Sequence, residues 1–143
     1  MKLTLAHHVA VLSAALTLAA CGSTRGTRYV AAEGALGPYS ASVLSGDFCF
    51  VSGKIGRRGD SFEVEVETAI DAVEGELRRN DLTLADVVAS TVYLTDIAYY
   101  GELNAIYARR FSAPYPARAC IAVRALPGEA RVEIQVTARR GSE

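Results

Sequence analysis

Histidine is nearly absent from this sequence of 143 residues: there are two, His7 and His8, and both stand close to the start. A Ser-His-Asp or Cys-His catalytic arrangement is therefore excluded for the chain beyond position 20. Cysteine is also rare, and none of the three cysteines has the Cys or His spacing typical of a metal site. The sequence has no G-x-G-x-x-G fingerprint and no phosphate-binding P-loop. We therefore expect neither a metal nor a cofactor.

An excess of charge of one sign is also lacking. The sequence contains 15 Lys+Arg and 16 Asp+Glu, which gives a formal net charge of −1. This balance gives no indication of nucleic acid as a partner or of electrostatic attraction to an acidic membrane surface. The length and the 50% hydrophobic content are those of one ordinary globular domain with a core of its own.

The longest apolar run stands at the start of the chain. Lys2 precedes a run of apolar and small residues, which ends in the sequence L-A-A-C-G at residues 18–22. That ending resembles a bacterial lipobox, in which the chain is cleaved before Cys21 and a lipid is attached to its sulfur. An ordinary signal peptide and a single membrane anchor are the alternatives, but the run is at the short end for a spanning helix.

We therefore interpret residues 1–20 as a lipoprotein signal peptide. Residues 21–36 would comprise the lipidated Cys21 and a flexible tether, and residues 37–143 would form the domain. The protein is then expected in the bacterial cell envelope, held to a membrane by its lipid anchor and facing the periplasm. Of the other cysteines, Cys49 and Cys120 could pair in an export compartment, but their apolar neighbours favour buried free thiols.

Two helices and several strands are predicted from hydrophobic periodicity. Residues 62–79 carry apolar side chains with the period of a helix, and residues 97–111 form a second helix with Tyr100 on its inner side. Residues 47–53 and 86–95 are rich in β-branched and aromatic residues and are predicted as strands, with Ser52 at the end of the first. The expected class is a mixed α/β (α+β) domain whose two helices cover one face of a single sheet.

Two further strands, joined by a Pro-Gly turn, are predicted within residues 116–139 because polar and apolar residues alternate. The apolar positions of the first are Ala119, Ile121, Val123 and Ala125, and those of the second are Val132, Ile134, Val136 and Ala138. Their opposite faces carry Arg118 and Glu133. Such charges usually meet water, so the pattern alone assigns them no function. Chain order alone suggests a ferredoxin-like sheet.

Several short motifs together resemble the RidA/YjgF family of reactive-intermediate (enamine/imine) deaminases. Residues 116–134 contain P-A-R-x-C, then L-P-G, then V-E-I, in the order and spacing of the C-terminal signature of that family. Residues 37–39 read G-P-Y, residues 52–54 read S-G-K where the family has S-G-Q, and residues 104–111 read N-x-x-Y-x-x-x-F. The resemblance covers nearly the whole predicted domain.

The resemblance implies a fold, an assembly and a reaction. The fold is the chorismate-mutase-like one, in which the last two strands are not hairpin partners and the final strand inserts in the middle of the sheet. The assembly is a homotrimer with active sites between subunits, so that a monomer would be inactive. The reaction is the cofactor-free hydrolysis of small 2-imino acids, in equilibrium with enamines, to 2-keto acids and ammonia.

The resemblance also implies a role for each matching residue. Arg118 would grip the substrate carboxylate through its planar guanidinium, and Glu133 would activate the attacking water. The backbone carbonyl of Cys120 would accept a hydrogen bond from the imine nitrogen. The cleft would be shaped by Tyr39, Ser52, Gly53 and Asn104. Without the resemblance, the pattern favours structural interpretations: a loop aromatic for Tyr39, a strand end for Ser52 and Gly53, and an exposed helix position for Asn104.

A non-catalytic module that binds small carboxylates or acts like a chaperone is the competing interpretation, since a fold does not fix a function. One observation and one expectation keep it open. Lys54 departs from the family motif, and the expected periplasmic location differs from the cytoplasm, where reactive enamines usually arise.

Overall fold

A computed structural model describes residues 26–59 and 61–141. The predicted signal peptide, residues 1–20, and the predicted lipidation site, Cys21, lie outside the described residues. Within the described ranges no helix has the length and apolar character needed to cross a bilayer.

The described chain forms six strands, two α-helices and three short 3-10 turns. The strands are β1 (Arg28–Ala31), β2 (Ser40–Ser45), β3 (Phe48–Ile55), β4 (Val87–Leu94), β5 (Ala117–Ala122) and β6 (Val132–Arg139). The helices are α1 (Phe62–Arg78) and α2 (Tyr100–Arg110). The 3-10 turns are Leu84–Asp86, Ile97–Tyr99 and Pro127–Glu129.

Helix α1 forms where its periodicity predicts it. The Ser61 hydroxyl caps the helix by accepting a hydrogen bond from the Val64 amide, at 3.2 Å, and acidic residues occupy the first turn. The apolar stripe is buried against the sheet and consists of Val66, Ala69, Ile70, Val73 and Leu77. Helix α2 packs beside α1 and adds Leu103, Ile106 and Tyr107 to the same core.

The sheet has the strand order β1-β2-β3-β6-β4-β5, and all pairs are antiparallel except β4 with β5. The final strand therefore lies in the interior of the sheet, and β4 separates it from β5. This confirms the chorismate-mutase-like arrangement of one mixed sheet with two helices on one face. The ferredoxin-like order is wrong. The sheet also begins earlier than expected, because β1 lies within residues 21–36, the predicted tether.

The face on which each β5 side chain lies differs from the prediction. Arg118 aligns with Ser90 on β4, and Cys120 aligns with Val92, which is fully buried beneath the helices. Ile121 is 46% exposed and lies on the opposite face. The prediction placed the odd-numbered positions of β5 toward the core, whereas Arg118 and Cys120 are the residues that point to the helix side. Strand β5 also ends at Ala122 instead of continuing to residue 125.

We call the side of the sheet away from the helices the open face. Phe48 and Phe50 lie side by side on it, with ring centroids 6.3 Å apart, and both are exposed. Ile121 extends the apolar surface across β5. Cys120 and Val51 lie on the core side. An apolar, aromatic sheet face of this kind is typical of a surface that is covered by other subunits.

The two cysteines in the described ranges are free, as predicted from their apolar neighbours. Cys49 is buried and Cys120 is half-buried. Burial raises the pKa of both thiols, so the thiolate form is disfavoured in each.

Candidate functional site

Glu133 lies on the open face of β6, where it aligns with Tyr93 on β4 and Ile55 on β3. It lines a cavity of about 240 Å³ whose other walls include Tyr39, Ser52 and Gly53. We call this cavity the Glu133 pocket. Within residues 26–59 and 61–141 the Glu133 carboxylate has neither a hydrogen-bond partner nor an ion-pair partner. An unpaired, half-buried carboxylate in a cavity is suited to accept a proton from a bound water.

Gly53 allows the Glu133 side chain to occupy this position. The register between β3 and β6 shifts between Val51 and Lys54, so Ser52 and Gly53 form an irregularity inside β3 instead of its end. A Cβ atom added at Gly53 would lie 1.7 Å from Glu133 Oε1. The Ser52 hydroxyl donates to the Ser40 carbonyl oxygen at 2.6 Å, which ties the irregular segment to β2. The S-G pair therefore positions the carboxylate.

Replacing Gly53 by Ala is expected to lower both activity and stability. The new methyl group must displace the Glu133 side chain, and even a small misplacement of a catalytic group can cost about 10²-fold in rate. The measurements are the steady-state rate of the reaction that the family resemblance implies and the midpoint temperature of thermal unfolding. Gly75→Ala is the matched control, because its Cβ would meet nothing within 4 Å and it lies inside α1. Wild-type activity in Gly53→Ala would contradict the positioning role.

Partial burial raises the pKa of Glu133, because desolvation disfavours the charged carboxylate. The folded state therefore holds this proton to a higher pH than the unfolded state does. Protonated Glu133 therefore contributes to the stability of the fold below the ordinary glutamate pKa of about 4.3. This contribution is lost as the pH rises through the pKa of Glu133 in the folded state. Above that range the ionised side chain destabilises the fold.

Glu133→Gln is therefore expected to be more stable than the wild type at pH 7, and this advantage should disappear near pH 4. The amide has nearly the same shape as the carboxylate but carries no charge that burial can penalise. Thermal unfolding of both proteins across pH 4–8 provides the measurement. An advantage that is equal at both ends of the range would show that ionisation of Glu133 is not its cause.

Arg118 forms a second candidate binding site, on the helix side of β5. One guanidinium nitrogen, Nη2, donates to the Asn104 side-chain oxygen at 2.5 Å, and the group stacks over the Tyr107 ring at 4.7 Å from its centroid. No carboxylate within residues 26–59 and 61–141 pairs with it. A cavity of about 360 Å³, here called the Arg118 pocket, borders it and is also lined by Tyr115 and Pro116. A guanidinium held by neutral groups is available for a carboxylate ligand.

Cys120 lies two residues further along the same edge strand. The Val123 amide donates to the Leu94 carbonyl oxygen of β4 at 2.8 Å. Since bonding to one neighbour alternates along a parallel strand, the amide and carbonyl of Cys120 point away from β4, toward the free edge. The backbone carbonyl of Cys120 is therefore placed to accept a hydrogen bond near Arg118, and the half-buried thiol packs against the core.

The predicted residues thus divide into two groups. Tyr39, Ser52 and Gly53 meet at Glu133, whereas Asn104 and Cys120 lie with Arg118. The two groups are on opposite faces of one sheet, so a single small ligand cannot contact Arg118 and Glu133 of the same subunit.

The aromatic walls of the Arg118 pocket were missed in the sequence. Tyr107 is the aromatic residue of the N-x-x-Y motif but was given no role at the site, and Tyr115 was not singled out. Tyr107 in fact presents its ring to the guanidinium, while it also stacks on Phe111 at 4.0 Å. The signal that could have identified it is its position three residues after Asn104, on the same helix surface.

Comparison with known proteins identifies the family. A family model described as Endoribonuclease L-PSP matches residues 30–140. The chain belongs to this family, the RidA/YjgF family. A RutC family protein of Sinorhizobium fredii is 40% identical over 111 residues, covering 73% of this chain and 88% of that protein. The human protein named 2-iminobutanoate/2-iminopropanoate deaminase is 35% identical over 117 residues, covering 77% of this chain and 85% of that protein.

Solved structures of the RidA/YjgF family agree with the fold. The crystal structure of RidA from the Antarctic bacterium Psychrobacter sp. PAMC 21119 superposes with a TM-score of 0.71 at 32% identity, covering 73% of this chain and 90% of that chain. Yeast Mmf1 superposes with a TM-score of 0.76 at 26% identity, covering 81% of this chain and all of the other (100%).

Proposed function

We propose that this protein hydrolyses reactive 2-imino acids, and the enamines in equilibrium with them, to 2-keto acids and ammonia. The observation that carries the proposal is a pair of charged groups, the Arg118 guanidinium and the Glu133 carboxylate, each of which lines a cavity and has no ion-pair partner within residues 26–59 and 61–141. A cation for the substrate carboxylate and a base for water are what this reaction requires of a cofactor-free site. The human relative bears the name of such a deaminase.

The arrangement suits this chemistry in three steps. Arg118 binds the substrate carboxylate, and the Cys120 carbonyl accepts a hydrogen bond from the imine nitrogen, which orients the C=N carbon. Glu133 takes a proton from water as its oxygen attacks that carbon. Glu133 passes that proton to nitrogen, which gives a carbinolamine. The hydroxyl proton then moves to nitrogen by the same route as the C–N bond breaks and the C=O bond forms, releasing ammonia and the 2-keto acid.

A complete site requires two subunits. Since Arg118 and Glu133 occupy opposite faces of one sheet, the Glu133 pocket of one subunit must meet the Arg118 pocket of a neighbour. The apolar open face, with Phe48 and Phe50, supports burial in a homotrimer, the assembly that the family resemblance implies. The isolated subunit is then inactive.

The first test is the release of ammonia and 2-keto acid from 2-iminopropionate, generated in situ, by the protein beginning at Gly22. The uncatalysed hydrolysis supplies the reference rate, and sedimentation establishes the assembly state of the same sample. Acceleration by the trimer supports the deaminase. No acceleration by a correctly assembled trimer would contradict it and favour a non-catalytic module that binds small carboxylates.

The lipoprotein assignment of residues 1–20 and Cys21 is part of the proposal and rests on the lipobox-like sequence at residues 18–22. Metabolic labelling with a fatty acid in a bacterial host is expected to mark the wild type in the membrane fraction. Cys21→Ser should remove the label and release the protein from the membrane. Labelling that survives Cys21→Ser would place the modification elsewhere.

A further inference from the structure

A second cavity adjoins the Glu133 pocket. It has a volume of about 360 Å³ and shares four wall residues with that pocket, namely Leu36, Tyr39, Gly53 and Ile55. Its remaining walls bring in Lys54, Glu76 and Arg79. A ligand held next to Glu133 therefore has, behind Tyr39 and Gly53, a neighbouring space lined with charge. We call this space the Lys54 cavity.

The Lys54 ammonium has spare hydrogen-bonding capacity. It lies 3.8 Å from Glu76 Oε2, beyond hydrogen-bond distance, and its side chain is only 20% exposed. Within the two described ranges it donates no hydrogen bond, although an ammonium group has three donors. The ion pair with Glu76 therefore leaves the donors of this partly buried ammonium available to an incoming anion.

The Glu76 carboxylate forms no close hydrogen bond with either of its two neighbouring cations, Lys54 and Arg79. It is 4% exposed, and its Oε1 accepts from the Ser42 hydroxyl at 2.6 Å. Its other oxygen, Oε2, is shared between Lys54 at 3.8 Å and Arg79 at 3.6 Å. Arg79 is 58% exposed, and Glu33, the other acid on the walls, is also exposed, so solvent screens both of these charges. The Lys54 ammonium is the cation least exposed to solvent, and it faces a single Glu76 oxygen at 3.8 Å.

We propose that the Lys54 cavity accepts a second carboxylate, at the end of the substrate side chain. The protein would then prefer 2-imino dicarboxylic acids, formed by oxidation of acidic amino acids, to 2-imino acids with short aliphatic side chains. The inference rests on the proposed function, since the Glu133 pocket must hold the reacting carbon. It gives a role to Lys54, the residue at which the S-G-K sequence departs from the family motif.

Binding of the product-like 2-keto acids tests the inference without turnover. By calorimetry, the wild type is expected to bind 2-oxoglutarate about ten-fold more tightly than 2-oxobutanoate, the gain typical of one hydrogen bond to a charged group. Lys54→Gln should abolish this preference, and Lys54→Arg should keep most of it. Arg78→Gln, which removes a cation from the same end of α1 but outside the cavity, should retain it. An equal preference in the wild type and Lys54→Gln would overturn the inference.

Kinetics separate the inference from the proposed function. Imines of glutamate and of 2-aminobutanoate are generated in situ, and the ratio of their kcat/KM values is compared between the wild type and Lys54→Gln. Hydrolysis of both imines with the same ratio in the two proteins would overturn the role of Lys54 and leave the deaminase intact. A Lys54-dependent preference for 2-oxoglutarate without hydrolysis of either imine would support the cavity and overturn the deaminase.

Discussion

Glu133→Gln is expected to lower the kcat for 2-iminopropionate hydrolysis by about 10² to 10⁴-fold, the usual contribution of a positioned general base. The amide fills the same space beside Gly53 but cannot take a proton from water. KM should change little, because Arg118 remains to bind the substrate carboxylate. The loss therefore falls on the chemical step. Initial rates of ammonia release over a range of substrate concentrations measure both constants.

The control for this variant makes the same chemical change at an exposed carboxylate. Glu129 lies four residues before Glu133, is solvent-exposed, and pairs with Arg58 on the surface. Glu129→Gln should keep wild-type kinetics. Glu133→Gln should also assemble normally and, at pH 7, melt higher than the wild type. Full activity in a folded Glu133→Gln trimer would remove Glu133 from the mechanism.

Mixed trimers made from two inactive variants are expected to regain activity. Arg118→Ala loses the group that binds the substrate carboxylate, and Glu133→Gln loses the base, so each homotrimer should retain only a small residual rate. When the subunits assemble at random in equal amounts, about one quarter of the interfaces join an intact Glu133 to an intact Arg118 of the neighbour. The restored rate should then approach about one quarter of the wild-type rate.

The experiment requires co-expression, or joint unfolding and refolding, so that subunits exchange. Preparations mixed only after assembly provide the control and should remain inactive. If Arg118 and Glu133 acted within one subunit, every subunit would lack one essential group and mixing would restore nothing. The result thus tests directly whether the site is shared between subunits.

The local elements could be predicted from the sequence because their signals are local. The stripe from Val66 to Leu77 has the period of a helix, and α1 forms there from Phe62 to Arg78. Strand β1, Arg28–Ala31, was missed because four residues are too few to give a periodic signal. Its strand conformation depends on pairing with β2, and this contact with a later part of the chain is not visible in the local sequence.

The faces of the sheet were harder to predict, because alternation separates two faces without showing which one the helices cover. In β5 both faces are partly apolar, and the more hydrophobic Ile121 lies on the open face. That choice was wrong because an apolar open face resembles a core face in sequence. The same uncertainty placed Arg118 on the face away from the core, although the family resemblance had implied that Arg118 and Glu133 meet only across a subunit interface.

The central place of β6 has a consequence for the order of folding. Val132, Ile134 and Val136 supply the middle of the core, yet they belong to the last strand to be synthesised. Until residues 132–139 are available, β3 and β4 lack the strand that joins them. Val51 on β3 and Val92 on β4 then lack the β6 residues with which they align, Val136 and Ile134. Core formation therefore depends on contacts between distant parts of the chain, which favours slow, late and cooperative folding over strand-by-strand assembly.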